Sequence, residues 1–194
     1  MKPFIDTELD KAIDLMRALR ADGALIETLE RAAEAGIRAL RDGRKVMFCG
    51  NGGSAADAQH LAAELVGKLG YDRPGLAAVS LTTDTSILTA IGNDYGYEDV
   101  FHRQIEAIGR EGDVLVGLST SGRSRNVVKA FRTARQRRIV TIGMTGSSGG
   151  DMPALSDYCL RMPSDETQKI QEAHIVVGHV LCGLIERSLF PKDA

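Results

Sequence analysis

The sequence of 194 residues has few of the features that mark special classes of protein. Its three cysteines, Cys49, Cys159 and Cys182, are far apart in apolar sequence, and without a Cys-x-x-Cys pair no cysteine metal site is predicted. No apolar run approaches the roughly 20 residues of a membrane span, and the amino terminus lacks the apolar core of a signal peptide. We expect a cytoplasmic protein with reduced, buried cysteines.

An excess of charge of either sign is also missing. The chain has 24 basic and 26 acidic residues and a formal net charge of -2. Such a balance gives no global electrostatic reason to bind nucleic acid. The arginines between residues 132 and 138 are interpreted as a solvated helix face. We therefore expect neither a nucleic-acid partner nor a membrane partner.

The apolar pattern predicts an α/β fold. Residues 6–42 show helical periodicity interrupted at Gly23 and followed by Gly43, which predicts two helices. Short apolar strands then alternate with helices, which predicts a doubly wound, five-stranded parallel sheet with an N-terminal helical extension. We expect one domain over 1–194, with helices in 1–43 and the α/β core and C-terminal helix in 44–194. The predicted strands are 45–49, 76–81, 114–118, 139–144 and 158–162, and the helices between and after them are 54–68, 86–92, 98–109, 124–136 and 167–189.

A glycine-rich segment, which we call the glycine loop, follows the first predicted strand at residues 50–54 and leads into a helix. Ligands of open α/β sheets bind beyond the carboxyl ends of the strands, and free N–H groups at a helix start favour anions. The spacing resembles a dinucleotide fingerprint. However, the acidic residue that should end the next strand about 20 residues later is displaced to Asp84, and the P-loop lysine is absent. An anion cradle is favoured, and a simple tight turn is the alternative.

A second candidate loop, the serine loop, occupies residues 119–124 after the third predicted strand. It reads Ser119-Thr120-Ser121-Gly122-Arg123-Ser124 and precedes a predicted helix. Four hydroxyl groups and several backbone N–H groups at a helix start suit a phosphate group. The alternative is that Ser124 is only a helix N-cap.

A third candidate segment runs from Thr82 to Gly96, after the second predicted strand. Within it, the side chains of Asn93 and Asp94 can donate hydrogen bonds to sugar hydroxyls and accept them. The alternative is that Asn-Asp-x-Gly is simply a turn.

His60 and Glu64 are four residues apart on the helix that follows the glycine loop, so their side chains are neighbours on one face. They form half of a metal site, a general acid/base pair or a surface ion pair. Gln171 and His179 on the last predicted helix are further candidates. They lie about two turns apart with an angular offset of about 80°, so they meet one ligand only from opposite ends of a site. His102 and His174 are interpreted as structural or surface histidines.

Together these segments resemble the sugar isomerase (SIS) domain, and specifically the bacterial phosphoheptose isomerases, over residues 45–190. The matching motifs are Gly50-Asn51-Gly52-Gly53-Ser54-Ala55-Ala56-Asp57-Ala58-Gln59-His60 with Glu64, Leu81-Thr82-Thr83-Asp84, Gly92-Asn93-Asp94-Tyr95-Gly96, Ser119-Thr120-Ser121-Gly122, and Ile170-Gln171-Glu172 with His179. The resemblance implies a flavodoxin-like three-layer sandwich. It also implies a homotetramer with active sites between subunits and one zinc ion per subunit.

The activity implied by this resemblance is conversion of D-sedoheptulose 7-phosphate to D-glycero-D-manno-heptose 7-phosphate. That reaction begins the synthesis of nucleotide-activated heptose for lipopolysaccharide core or other surface glycans. The implied catalytic residues are Glu64 and His179, and the implied metal ligands are His60, Glu64, Gln171 and His179. The implied substrate contacts are Asn51, Gly52, Gly53, Ser54, Glu64, Asn93, Asp94, Ser119, Thr120, Ser121, Ser124 and Gln171.

An aldose–ketose interconversion moves a proton between C1 and C2 through an enediol(ate), which needs a base, an acid and stabilisation of negative charge. We hypothesise that Glu64 abstracts and returns the carbon-bound proton and that His179 protonates or deprotonates the sugar oxygens. One departure from the family is Arg125, where the family commonly has proline. The alternatives are a non-catalytic SIS adaptor that binds a phosphosugar or a replication initiator, and an isomerase of pentose phosphates.

Overall fold

The computed structural model describes residues 1–192 and has a parallel sheet of five strands in the order β2-β1-β3-β4-β5. In the register, Val46 pairs with Ala78 on one side and with Val114 on the other. The predicted fold class is confirmed. The strands are β1 (Val46–Gly50), β2 (Ala78–Ser80), β3 (Val114–Leu118), β4 (Val140–Thr145) and β5 (Tyr158–Arg161).

Helices cover both faces of this sheet. Because successive side chains of a strand point to opposite faces, Val46 and Phe48 of β1 pack into one apolar core, whereas Met47 and Cys49 pack into a second. The first core is closed by α1 (Lys2–Ala21), α2 (Gly23–Arg41), α3 (Gly53–Val66) and α7 (Thr167–Leu189), and the second by α4 (Thr85–Asp94), α5 (His102–Ile108) and α6 (Arg125–Gln136).

The two N-terminal helices end where the glycines predict. Asp22 separates α1 from α2, and its side chain accepts a hydrogen bond from the backbone N–H of Leu25 at 3.0 Å. Gly43 follows α2 with a φ of +68°, a left-handed conformation that glycine adopts readily. None of the helices within residues 1–192 combines the length and the apolar character needed to cross a membrane.

Two predicted elements differ in extent. The strand predicted at 76–81 pairs only over Ala78–Ser80, because the backbone N–H of Leu76 bonds to the carbonyl of Leu65 in α3 instead of to a strand. The helix predicted at 98–109 is divided into a 3-10 turn, Tyr97–Asp99, and α5. Two apolar residues that are buried in the second core, Val100 and Phe101, lie between the two pieces.

The strand order places the glycine loop and the serine loop side by side. The chain leaves β1 for α3 on one face of the sheet, and it leaves the adjacent β3 for α6 on the other face. A crevice forms where neighbouring strands connect to opposite faces, and ligands of open α/β sheets bind there. The two loops predicted to bind a phosphosugar therefore flank the same crevice.

Candidate functional site

The glycine loop makes a sharp turn into α3. Gly52, the N-cap residue of α3, has a φ of +56° and a ψ of -123°, a conformation that side chains other than that of glycine rarely adopt. Next to it, the side chain of Gln171 lies so close to Gly53 that a Cβ atom added to Gly53 would be 2.6 Å from Gln171 Nε2. The side chain of Ser54 is buried. The loop thus has a fixed shape, and Gln171 of α7 contacts its helical end.

An amide pair joins the glycine loop to the first turn of α6, which follows the serine loop. Asn51 Nδ2 donates to Asn126 Oδ1 at 2.9 Å, and Asn126 Nδ2 donates back to Asn51 Oδ1 at 2.8 Å. The hydroxyl of Tyr97 donates to the same Asn51 oxygen at 3.3 Å. Beside this bridge lies a cavity of about 300 Å³, which Asn51, Tyr97, Ser124 and Asn126 help to line. Its size is at the lower end of the range for ligand pockets.

In the serine loop, the hydroxyl groups of Ser119 and Ser124 bond to each other at 2.8 Å. Ser124 occupies the N-cap position of α6, but its side chain makes no capping bond. The alternative that Ser124 only caps the helix is therefore not what the structure shows. Thr120 is half-buried and Ser121 is exposed. Hydroxyl groups and uncapped N–H groups at a helix start together can bind a phosphate.

Asn93 and Asp94 lie in the last turn of α4 and not in a loop. Both side chains are exposed, and Asn93 Nδ2 donates to Asp94 Oδ1 at 2.8 Å. The turn that the sequence suggested comes after the helix, at Gly96, where φ is +99°. The predicted contact of Asn93 and Asp94 with substrate stays a prediction.

Two helices bring His60, Glu64 and His179 together. His60 Nε2 lies 3.0 Å from Glu64 Oε1 and 2.8 Å from His179 Nε2, and His179 Nε2 lies 3.9 Å from Glu64 Oε1. Glu64 is the least exposed, at 16% of its side-chain area, against 50% for His60 and 39% for His179. A carboxylate therefore lies beneath two partly open imidazoles. We call these three residues the histidine–glutamate cluster.

The cluster has the composition and dimensions of a metal site. Its ligand atoms all lie within 4.8 Å of one another. Tetrahedral zinc has ligand bonds of about 2.0–2.2 Å, which place the ligand atoms about 3.3–3.6 Å apart. The three measured separations bracket that range. Imidazole nitrogen and carboxylate oxygen are both normal zinc ligands, so the side chains present fit the metal.

Gln171 lies at the other end of this surface. Its side chain contacts Gly53, which precedes His60 by seven residues, or about 10 Å along α3. Gln171 and His179 therefore meet opposite ends of the same α3 face, as their spacing predicts. The assignment of Gln171 as a metal ligand stays a prediction.

Asp57, which the sequence reasoning did not single out, lies between these two ends on α3. Its Oδ2 atom is buried and has no hydrogen-bond partner among the described residues. Desolvation raises the pKa of Asp57 above its usual value, and the nearby His60 and His179 partly oppose that shift. Its position in the sequence could have identified it, since residues 57, 60 and 64 share one helix face.

A buried ion pair joins the end of α3 to α7 beyond the cluster. Arg73 Nε lies 3.0 Å from Glu186 Oε1, and both side chains are 2% exposed. Arg73 also donates to the carbonyl of Glu64 at 2.8 Å, and Glu186 accepts from the backbone N–H groups of Leu69 and Gly70. Burial alone would raise the pKa of Glu186, but these bonds outweigh it and lower the pKa. We call this pair the clasp.

Nothing in the sequence distinguished Arg73, Glu186 or Asn126 as partners, because each pairing joins residues that are far apart in the chain. Arg73 and Glu186 are 113 positions apart, and Asn51 and Asn126 are 75 apart. Their residue types are also common on surfaces, and only the fold identifies them as buried partners.

Comparison with known proteins agrees with this geometry. A family model described as SIS domain matches residues 9–146. The chain is 53% identical to a phosphoheptose isomerase of Burkholderia pseudomallei and 49% identical to one of Aneurinibacillus thermoaerophilus, each over 98% of this chain and 96% of the relative. The structure of phosphoheptose isomerase from Neisseria gonorrhoeae matches with a TM-score of 0.89 and 44% identity, covering 95% of this chain and 98% of that one. The chain belongs to the SIS-domain family, in its phosphoheptose isomerase branch.

Proposed function

We propose that the protein is a phosphoheptose isomerase that converts D-sedoheptulose 7-phosphate to D-glycero-D-manno-heptose 7-phosphate. One observation carries the proposal most directly. Two polar loops flank the crevice of the sheet, and the helix that leaves one of them carries the histidine–glutamate cluster. A phosphosugar site and a site for proton transfer thus lie on one continuous surface. The names of the close relatives point to the same reaction.

The substrate phosphate binds at the serine loop in this proposal. Ser119, Thr120, Ser121 and Ser124 supply hydroxyl groups. The start of α6 supplies the N–H groups of Arg125 and Asn126, since that of Val127 already donates to Asn126 Oδ1. The glycine loop, with Asn51, Gly52, Gly53 and Ser54, then lies along the sugar. His60 is about 10 Å along α3 from Gly53. Carbon–carbon bonds of about 1.5 Å give an extended seven-carbon sugar phosphate a similar reach. Asn93, Asp94 and Gln171 are proposed to contact sugar hydroxyl groups.

At the far end, Glu64 and His179 carry the protons. The Glu64 carboxylate takes the proton from C1 of the ketose and returns it to C2. Its low exposure protects that proton from exchange with bulk water. His179 donates a proton to one sugar oxygen and accepts a proton from the other. His60 contacts both residues and keeps them together.

We further propose one zinc ion per subunit, held by His60, Glu64 and His179. Within one subunit Gln171 contacts Gly53, about 10 Å along α3 from His60, so we propose that Gln171 completes the ligand set across the subunit interface. When bound, zinc polarises the carbonyl oxygen and stabilises negative charge that develops on it. A carboxylate that binds a metal would be a weaker base, so Glu64 would serve in alternation as metal ligand and as base.

The proposed assembly is a homotetramer with active sites between subunits. Two apolar surfaces support it. Phe4, Ile5, Leu9 and Ile13 are exposed along α1, and Val176, Val180 and Leu184 are exposed along α7 beside His179. Contiguous exposed apolar surface of this kind marks protein interfaces. Light scattering coupled to gel filtration measures the mass directly, and a monomer would contradict this part of the proposal.

We place the reaction in the cytoplasm because all three cysteines are free thiols, as is usual in a reducing compartment. Its product would enter the synthesis of nucleotide-activated heptose for lipopolysaccharide core or other surface glycans. Neither a nucleic acid nor a membrane is proposed as a partner.

The deciding experiment follows aldose formation by NMR with sedoheptulose 7-phosphate, in zinc-loaded and zinc-depleted protein. Arabinose 5-phosphate and ribulose 5-phosphate serve as matched shorter substrates. Turnover of the heptulose phosphate with little turnover of the pentose phosphates is expected, because a chain that is two carbons shorter reaches roughly 2.5 Å less far from its phosphate group. Binding of heptulose phosphate without turnover under all conditions would contradict the proposal and indicate a non-catalytic adaptor. Preferential turnover of a pentose phosphate would indicate a different isomerase.

A further inference from the structure

Asp57 lies within the candidate site and has no role in the mechanism above. On α3 it precedes His60 by three residues and Glu64 by seven, so the three side chains lie within about 60° of one another around the helix axis. It occupies the α3 face between the Gln171 contact at Gly53 and the histidine–glutamate cluster. Asp57, which is half-buried, therefore lies between the two parts of the site.

The Oδ2 atom of Asp57 is shielded from solvent and has no hydrogen-bond partner among the described residues. A shielded oxygen of a carboxyl group costs free energy when it lacks a partner, and native structures rarely retain one without a reason. The His60 and His179 imidazoles are close enough to act on its charge, and His60 acts more strongly. The carboxylate thus lies near enough to the cluster to interact with its charges, and its Oδ2 atom has no partner among the described residues.

His60 has a matching unused nitrogen. Its Nε2 atom contacts both Glu64 and His179, which leaves Nδ1 as the second ring nitrogen. Side chains on an α-helix lean towards its N-terminus, and the turn that carries Asp57 lies on that side of His60. A histidine that binds a metal through one nitrogen usually donates a hydrogen bond from the other to a carboxylate, a backbone carbonyl or water.

We propose that Asp57 is the positioning carboxylate of this centre, which accepts a hydrogen bond from His60 Nδ1 when Nε2 binds a metal ion. Asp57 selects the His60 tautomer that leaves Nε2 free as a ligand and holds the ring in place. It does not itself bind the metal or touch the substrate. The inference rests on the zinc site proposed above and assigns a supporting residue to it.

The test compares three variants in the full-length protein, namely Asp57→Ala, Asp57→Asn and Asp72→Asn. Zinc affinity is measured by competition with a chelating dye, and the stability of the metal-free protein is measured by denaturant unfolding. Asp57→Ala is expected to weaken zinc binding by about 10- to 100-fold, the usual effect of losing such a partner. Asp57→Asn keeps an acceptor oxygen and is expected to have a smaller effect. Asp72 is exposed, and its variant, which removes the same charge, is expected to bind zinc normally.

Stability separates positioning from a structural role. The Asp57 variants are expected to leave the metal-free protein as stable as before or more stable, because they remove a shielded, unpartnered oxygen. Unchanged zinc affinity in both variants would overturn the inference while the proposed function stands. Weaker zinc binding together with a destabilised metal-free protein would also overturn it, as would an equal effect of Asp72→Asn. Failure of the wild-type protein to bind zinc would overturn the zinc proposal itself.

Discussion

The histidine–glutamate cluster and the clasp both connect the α3 region to α7, but they do so in opposite ways. In the clasp, Arg73 and Glu186 are 2% exposed, and Arg73 also bonds to backbone carbonyls at the end of α3. In the cluster, His60 and His179 are partly open to solvent, and their Nε2 atoms face each other at 2.8 Å. In the clasp the charged groups are buried and satisfied by hydrogen bonds. In the cluster two nitrogen atoms and one oxygen atom face a common point that solvent can reach.

This difference separates the residues that hold the site from those that act in it. A buried ion pair persists only when further hydrogen bonds satisfy its remaining donors and acceptors, as they do in the clasp. The cluster can exchange its internal contacts for a cation or a proton because it is open and joined by few bonds. Arg73 donates to the carbonyl of Glu64, so the clasp also fixes the point from which the Glu64 side chain extends.

The largest effect is expected at the cluster. Glu64→Gln and His179→Gln each remove a group proposed to transfer protons while nearly preserving its size, and each is expected to lower kcat by roughly 10²- to 10⁴-fold. The stability of the metal-free protein is expected to change little, because both residues are partly exposed. Steady-state kinetics with sedoheptulose 7-phosphate and denaturant unfolding measure the two quantities.

The control for this prediction is Glu106→Gln, the same chemical change in another helical pair. Glu106 Oε2 lies 3.5 Å from His102 Nε2 on α5, which packs on the opposite face of the sheet from the histidine–glutamate cluster. Normal kcat is expected in this control. Near-normal turnover in either cluster variant would show that the residue is not the proton-transfer group.

A clasp variant is expected to lose stability and to keep most of its activity. Glu186→Gln leaves Arg73 buried beside a neutral group, and breaking a buried pair in this way costs about 3–5 kcal/mol of unfolding free energy. For a chain of this size that corresponds to a fall in Tm on the order of 10 °C. Activity per folded subunit is expected to fall far less than in the cluster variants. A loss of turnover without a loss of stability would mean that the clasp takes part in the reaction.

The buried His174 is expected to make the stability of the protein depend on pH. Burial lowers the pKa of this residue to about 4, although a nearby backbone group of Thr145 partly opposes the shift. The unfolded chain, with a pKa near 6.5, therefore takes up a proton between pH 6.5 and 4 that the folded protein does not. The unfolding free energy is expected to fall by up to about 3 kcal/mol as the pH drops through this range.

His174→Met, which is similar in volume and does not titrate, serves as the comparison. Unfolding of the wild-type protein and the variant is measured at several pH values, and the difference between them isolates His174. The wild-type protein is expected to lose up to about 3 kcal/mol more of its unfolding free energy than the variant does between pH 6.5 and pH 4. Parallel pH profiles would show that His174 does not account for the loss.

The sequence predicts the fold well because its signals are local. Alternating strand and helix patterns identify all five strands, and the positions of Gly23 and Gly43 identify the ends of the first two helices. It also identifies the pairing of His60 with Glu64, which are neighbours on one helix. By contrast, helix boundaries near Asn93 and Val100 depend on tertiary packing, so they are predicted less well.

Within the site, residue spacing places Gln171 and His179 at opposite ends of a surface, but it does not show which α3 residue each one meets. That requires the packing of α7 on α3. The orientation of Asp57 and the burial of Arg73 and Glu186 also depend on distant contacts. A common charged residue has the same appearance in sequence whether it is exposed or enclosed.

The smallest effect is expected at a third ion pair, which tests whether burial or distance determines the strength of the clasp. Arg125 Nη1 lies 2.9 Å from Glu98 Oε1, almost the same separation as in the clasp, but the two side chains are 83% and 52% exposed. Exposed pairs contribute about 0–1 kcal/mol, because water screens the charges and both side chains lose freedom. Arg125→Gln is therefore expected to change the unfolding free energy by less than about 1 kcal/mol, and raising the salt concentration is expected to remove even that. Denaturant unfolding beside Glu186→Gln makes the comparison. Equal losses in the two variants would mean that separation, and not burial, sets the contribution of an ion pair to the stability of this protein.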